Sequence, residues 1–374
     1  MKIGVLHHAF DLYGGAEYVA LVVTNALARE DYDVELMVGK KPLQEEVRKM
    51  MGEGIDPSVG VTIKPSVFKP RGLWHLPQVV SRSLILKSRN DLLIDTYSNT
   101  VLPWTNVSYI HFPFLNDYFY KRNFPYLNES SFANLIGIPY VVYAKELEDY
   151  QDKLIITNSI FTADAIRKGI EAEVTVLYPP IQSTFFGEPL ENLDRPRENL
   201  VITVSRFSAE KDLERIPLTA KLCDADTSFT LLGLLQDQVV YERLKRTIHK
   251  LGVAERVKLM PNASRDDVKR LLKKAKIYLH TMIGEHFGIS IVEAMAAGCV
   301  PIVHNSGGMK EFVPREYRYE SVKEAAEKIR KNLAEWTPKK AAQMRKIAEE
   351  FKEENFSRKF LETFRKYVNN HPGN

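Results

Sequence analysis

The 374-residue chain has only two cysteines, Cys223 and Cys299. That excludes a disulfide framework and a cysteine-held metal cluster, and it suits a reducing cytoplasm. No run of 18 apolar residues occurs, so no segment reads as a membrane-spanning helix. The opening MKIGVLHHAFDLYGGAE is strand-like and reaches a Gly-Gly pair too early to read as a signal peptide. A net charge of +4 is small for this length and gives no reason to expect nucleic acid. His7, His8 and His286 lack the spaced acids or histidines of a metal site, so no protein-held metal is expected. There is no Gly-x-Ser-x-Gly elbow, no Walker loop, no kinase motif set and no Gly-x-Gly-x-x-Gly dinucleotide fingerprint. Tandem repeats and low-complexity tracts are absent too.

What is present is a long alternation of strand-like and helix-like segments, which argues for an α/β protein with parallel sheets. Ile3–Leu6, Val34–Val38, Leu92–Asp95, Val107–His111, Leu154–Thr157 and Val174–Leu177 read as strands of a first half. Helices Glu17–Ala28 and Ile160–Lys168 lie among them. The polar stretch Gly187–Glu198, with Pro189 and Pro196, reads as a linker. The pattern then restarts with strands Leu200–Val204, Phe229–Gly233, Val257–Met260, Ile277–His280 and Val300–His304, and helix Arg265–Ala275. From Ala325 to Arg365 the chain reads as helical, with breaks near Trp336-Thr337-Pro338 and Asn355-Phe356-Ser357. The length calls for two domains. The expected division is residues 1–186, plus a terminal helix over 353–374, against residues 187–352. Two such halves with a hinge between them form a cleft, and ligands bind at the carboxyl ends of the strands.

The unusual residues cluster at those ends. Glu285 falls in the loop after a buried strand, and Glu293 lies eight positions on, inside the helix-forming run Ile289–Ala297. Between them Phe287, Gly288 and Ile289 offer backbone N–H groups at a helix start, which attracts phosphate. One loop can therefore hold a sugar hydroxyl through Glu285, a diphosphate through the N–H groups and a ribose through Glu293. Arg206 and Lys211 follow the Leu200–Val204 strand and complete a diphosphate clamp, or else are two solvated charges. Gly14 and Gly15 precede a helix and either bring N–H groups to a phosphate or simply make a tight loop. His111 ends a strand and opens the aromatic stretch Phe112, Phe114, Tyr118, Phe119, Tyr120, Phe124, Tyr126, which reads either as core or as a sugar-stacking or lipid-facing wall. Lys64, Lys69, Arg71, Arg82, Lys87 and Arg89 form a basic run without an acid, with Phe68, Trp74 and Leu84–Leu86 among them. That run is either a solvated face or a docking site for an anionic membrane or a lipid pyrophosphate.

These residues resemble those of the retaining glycosyltransferases of family 4, which have the GT-B fold. The likeness rests on the Gly14-Gly15 loop, Ser205-Arg206 with Lys211, EHFGISIVEAMAAG, VPIVHNSGG and the Phe356-Ser357 helix entry, and it covers nearly the whole chain. It implies that Glu285 and the N–H groups of Phe287 and Gly288 meet the donor sugar. It implies that Ile289 N–H, Arg206 and Lys211 hold the diphosphate, that Glu293 holds the ribose, and that His111 lies near the donor sugar. The resemblance also implies two Rossmann-like domains facing across a cleft, with the last helix crossing back to the N-terminal domain. Within the family, YIHFP, TNSIFTADAIRK, LYPPI and HNSGGMKEFV resemble the α-1,2-mannosyltransferases that extend the dolichol-linked oligosaccharide. The chain departs from them in lacking an N-terminal membrane anchor and in having only Gly14-Gly15 where they are richer in glycine.

The resemblance therefore implies retaining transfer of a hexose, mannose from GDP-mannose, to a hydroxyl of a glycan or polyprenyl-linked glycan. It implies no cofactor and no metal, because Arg and Lys neutralise the leaving phosphate. The expected location is the cytoplasm, with peripheral contact on the cytoplasmic face of an anionic membrane. UDP-glucose or UDP-GlcNAc as donor remains an alternative, and so does a nucleotide-sugar epimerase of the same fold. An epimerase needs acid and base carboxylates in the cleft and no acceptor site.

Overall fold

The computed structural model describes residues 1–10, 13–65, 75–112, 150, 152–187 and 197–371. Two compact units divide the chain: Met1–Pro180 with Glu353–Asn374, and Ile181–Lys352.

In the first unit seven strands form one parallel sheet: β1 (Lys2–Leu6), β2 (Asp33–Val38), β3 (Gly60–Ile63), β4 (Leu92–Asp95), β5 (Val107–Ile110), β6 (Leu154–Thr157) and β7 (Val174–Val176). Their spatial order is β3-β2-β1-β4-β5-β6-β7, so the winding reverses between β1 and β4. Apolar runs such as Ile3 to Leu6 and Leu154 to Ile156 suit strands covered on both faces. Among the described residues before Pro180 the helices are α1 (Gly15–Ala28), α2 (Gln44–Met51), α3 (His75–Lys87) and α4 (Ile160–Arg167). The α4 helix starts where the Ser159 side chain accepts the Thr162 N–H.

The second unit repeats the plan with β8 (Glu198–Val204), β9 (Ser228–Gly233), β10 (Val257–Pro261), β11 (Ala275–His280), β12 (Val300–His304) and β13 (Arg318–Tyr319). The order is β10-β9-β8-β11-β12-β13, and the reversal lies between β8 and β11. Its helices are α5 (Arg215–Leu222), α6 (Gln238–Lys250), α7 (Arg265–Lys274), α8 (Ile289–Ala296), α9 (Val322–Ala334) and α10 (Pro338–Ala348). Ser264, Ser321 and Thr337 cap α7, α9 and α10 through their side chains.

The final helix, α11 (Glu353–Asn370), belongs to the first unit. Phe356, Phe360, Phe364 and Tyr367 recur at helical spacing and are buried in the core that also holds α1. The chain break therefore comes before Glu353. Asn355-Phe356-Ser357, read from sequence as a break, is the first turn of α11, held there because Phe356 has a core to enter.

The segment Ile181–Gly187 sits with the second unit, which moves the division to Pro180 and leaves the 188–196 stretch of the expected linker outside the described residues. The Ile181 N–H donates to Phe351 O at 2.9 Å. The Phe185 ring lies under the Arg265 guanidinium at 4.6 Å.

Candidate functional site

In an open parallel sheet, two adjacent loops splay apart where the strand order reverses, and ligands bind there. The second unit places its charged candidates at that point. Arg206 and Lys211 follow β8, and Glu285 follows β11. Gly284 and Gly288 both have positive φ, 66° and 95°, and Gly288 caps α8. These left-handed turns fold the loop back so that Glu285 points inward.

A second loop braces the first. Gly308 N–H donates to Glu285 O at 2.9 Å, and Gly284 N–H donates to Ser306 Oγ at 2.8 Å. Gly307 has φ 72°, and a Cβ there would lie 2.2 Å from Glu285 O, so only glycine fits.

Glu285 is buried and ion-paired. Lys211 Nζ lies 2.7 Å from its Oε2. His280 Nε2 approaches the same oxygen at 3.1 Å, and the His286 N–H reaches Oε1 at 3.2 Å. A carboxylate only accepts, so His280 Nε2 carries a proton. Burial pushes the Glu285 carboxyl up, but the Lys211 charge and the His280 hydrogen bond outweigh it and hold the group well below the usual carboxylate range. Lys211 is fixed in turn: its backbone O accepts from Thr281 Oγ1 at 2.7 Å, and its Nζ lies 3.2 Å from Met282 Sδ.

Arg206 is half exposed and pairs with Glu210 at 3.2 Å and Gln236 at 3.0 Å. Glu293 lies in α8, one turn in, buried against the Arg265 guanidinium. Phe287, Gly288 and Ile289 occupy the start of α8, where the first N–H groups have no partner within the helix. Sequence reading missed His280 and Arg265, because nothing in their local context marks them.

In the first unit the corresponding reversal lies between β1 and β4. His7 and His8 follow β1, Thr96 follows β4 and His111 follows β5. His7 Nδ1 meets Thr96 Oγ1 at 2.9 Å, and His111 Nε2 meets Thr96 O at 3.1 Å. Since a carbonyl only accepts, His111 is protonated on Nε2 and carries its lone pair on Nδ1. Burial, with His7 nearby, lowers its pKa to about 4, so the ring is neutral. Asn99, itself left-handed at φ 58°, accepts from the His111 N–H at 2.8 Å, and Asn158 Nδ2 donates to His111 O at 2.6 Å.

Gly14 caps α1, and its N–H donates to Glu17 Oε2 at 2.8 Å. That amide is thus committed to a carboxylate, and a phosphate drawn to it would meet a like charge. Gly15 opens the helix beside it.

The basic run 64–89 is not one solvated face. Arg82 is buried and donates to Lys64 O at 3.1 Å. Lys87 Nζ donates to Asp91 O at 3.1 Å, and Arg89 lies 3.8 Å from Glu35. Leu86 is core, while Leu84 is exposed. Phe68, Lys69, Arg71 and Trp74 lie outside the described residues, as do Phe114, Tyr118, Phe119, Tyr120, Phe124 and Tyr126. Among the described residues no group of three His, Cys, Asp or Glu side chains is placed to hold a metal ion. No helix among them is long and apolar enough to cross a membrane.

Comparison with known proteins adds the following. Residues 189–351 match the family described as Glycosyl transferases group 1. A Dictyostelium discoideum protein named GDP-Man:Man(3)GlcNAc(2)-PP-Dol alpha-1,2-mannosyltransferase is 30% identical over 244 residues, covering 58% of this chain and 48% of that protein. The Homo sapiens protein of the same name is 30% identical over 300 residues, covering 69% and 60%. The chain thus spans about half the length of these relatives. Among solved structures, Anabaena HepE in complex with UDP and glucose superposes with a TM-score of 0.72 at 19% identity, covering 98% of this chain and 100% of that one. The fold is GT-B, built from two parallel α/β units.

Proposed function

The chain belongs to the glycosyl transferases of group 1, and on that premise we propose that it is a retaining mannosyltransferase. The donor is GDP-mannose, and the acceptor is a hydroxyl of a polyprenyl-linked glycan. The Lys211–Glu285 pair carries the reading: a cation and a carboxylate 2.7 Å apart at a topological switch point, within the family segment. The names of the relatives supply the choice of GDP-mannose and of a lipid-linked acceptor.

In this reading Lys211 and Arg206 hold the diphosphate with the N–H groups of Phe287, Gly288 and Ile289. Such preorganised donors stabilise charge as it develops on the leaving group. Glu285 accepts from a donor-sugar hydroxyl, and Glu293 accepts from the ribose. His111 has an Nδ1 lone pair that can accept from a sugar hydroxyl, while Gly14 and Gly15 are assigned to donor binding by the family resemblance alone, since the Gly14 amide is already committed to Glu17. The C1–O bond to the diphosphate breaks while a bond to the acceptor oxygen forms on the same face, and the acceptor proton passes to a phosphate oxygen. No metal takes part, since Lys211 and Arg206 supply the positive charge. Contact with an anionic membrane, on its cytoplasmic face, belongs to this reading through the lipid of the acceptor, with the exposed members of the basic run 64–89 as the candidate docking residues. Co-sedimentation with anionic and neutral vesicles tests it, and indifference to both rejects it.

The deciding experiment incubates the protein with a panel of nucleotide sugars and a polyprenyl-diphosphate-linked glycan, and measures nucleotide release and product linkage with and without a chelator. Transfer from GDP-mannose alone, with an α-linkage, is the expected result. Release from UDP-glucose or UDP-GlcNAc instead establishes a UDP-sugar donor, and conversion of a free nucleotide sugar without acceptor establishes an epimerase. GDP should also raise the melting temperature more than UDP, with about 2.7 kcal/mol of stabilisation at a hundredfold excess over Kd.

A further inference from the structure

We propose that His280 is a positioning residue for Glu285, holding the carboxylate in place when Lys211 leaves it for the incoming diphosphate. The proposal rests on the donor-site reading above. His280 ends β11 and is 3% exposed. Its backbone O accepts from Tyr319 Oη at 2.9 Å, and its ring stacks on Tyr278 at a centroid distance of 6.4 Å and an interplanar angle of 17°. The imidazole is therefore fixed in both position and plane. Its Nε2–H points at Glu285 Oε2, and its buried Nδ1 has no hydrogen-bond partner among the described residues. A ring buried with one nitrogen idle is tolerated for the sake of the other.

The need arises from competition for Lys211. In the resting arrangement Glu285 Oε2 takes both Lys211 Nζ and His280 Nε2, while Oε1 takes the His286 N–H. The lysine is a flexible point charge with three rotatable donors, and the proposed reaction requires it at the phosphate. Once it turns, the described groups still facing Glu285 are His280 and His286, the latter through its backbone N–H and the charge its imidazole carries when protonated. Without His280 the buried carboxylate keeps one donor; it then follows the lysine or takes a proton. Either change removes the acceptor that orients the sugar.

Four proteins are compared for kcat, donor KM, GDP affinity and the pH dependence of kcat: wild type, His280→Leu, His280→Gln and Glu285→Gln. His280→Leu removes the N–H. It should lower kcat by about tenfold or more, change GDP affinity by less than about twofold, and move the acid limb of kcat to higher pH. His280→Gln keeps an N–H donor and should recover most of the loss, with the acid limb back at its wild-type position. Wild-type turnover in His280→Leu, with Glu285→Gln inactive, overturns the proposal. If His280→Leu does not fold, His280→Gln decides, and a kcat as low as that of Glu285→Gln overturns it. A fully active Glu285→Gln overturns the donor-site reading itself, and the proposal with it.

Discussion

Lys211→Met tests the central pair by removing the charge while keeping an unbranched side chain only one atom shorter. Both partners are largely buried, with side-chain exposures of 14% for Lys211 and 11% for Glu285, and their charges lie 2.7 Å apart. At an effective dielectric constant of about 20, that separation corresponds to roughly 6 kcal/mol of Coulomb attraction. Desolvation of both groups offsets part of it, and removing one partner of a buried pair typically costs about 3–5 kcal/mol. The His280 and His286 N–H groups still face the carboxylate, so the low end, about 3 kcal/mol, applies here. For a unit of this size that is a fall of about 6–12 °C in melting temperature.

Adding Glu285→Gln removes the stranded charge, so the double variant should regain most of the lost stability. It should regain no turnover, since a phosphate donor and a sugar acceptor are then both gone. Differential scanning calorimetry and GDP release from GDP-mannose read the two effects separately. Unchanged melting in Lys211→Met refutes the pairing, and recovered turnover in the double variant refutes the chemical roles. Because the Glu285 pKa is depressed in the folded state, the stability it contributes is present above the unfolded value near 4.5 and is lost only as pH falls through the lower folded value.

Other outcomes follow from the same geometry. Phe360→Ala, at a site 1% exposed in the core of the first unit, should cost about 3–5 kcal/mol in a denaturant titration, and a loss under about 1 kcal/mol contradicts the docking of α11. Glu353 accepts from Tyr18 Oη at 2.7 Å, and burial, reinforced by Glu53, raises its pKa to about 7. Its stabilising contribution is fully present below pH 4.5 and lost as pH rises through about 7, so melting temperature should fall across that window and Glu353→Gln should flatten the profile. Arg206→Ala should lower turnover by about 2–4 kcal/mol of transition-state stabilisation while leaving melting unchanged, because the side chain is 52% exposed; wild-type kinetics would place it outside the phosphate site. Glu293→Gln should weaken GDP binding more than turnover, as a ribose contact is similar in ground and transition states, and a turnover defect with unchanged GDP affinity would reverse the assignment.

Most strands, several helices and the placement of Glu285 in a loop and Glu293 in a helix were legible from the sequence, whereas β3, β13, α2 and α3 were not read from it. Alternation, apolar runs and glycines act within a few residues. Ile277 to Leu279 reads as buried strand wherever it lies, and Gly288 can start α8 because φ near 95° is open to glycine. The aromatic spacing of Phe356, Phe360 and Phe364 likewise marks a buried face, but not what buries it. Tertiary structure decided that face's partner, α1, and showed that Asn355-Phe356-Ser357 continues the terminal helix rather than breaking it. It also decided which charges meet. Lys211 and Glu285 are 74 positions apart and touch because β8 lies next to β11 in the sheet. That neighbour relation also brings His280 onto the Glu285 carboxylate. Arg265 reaches Glu293 across 28 positions, and Arg82, one of six basic residues in a row without acids, is folded inward onto Lys64 O. No local pattern encodes these pairings, since an ion pair depends on strand order and burial, and both are properties of the assembled sheet.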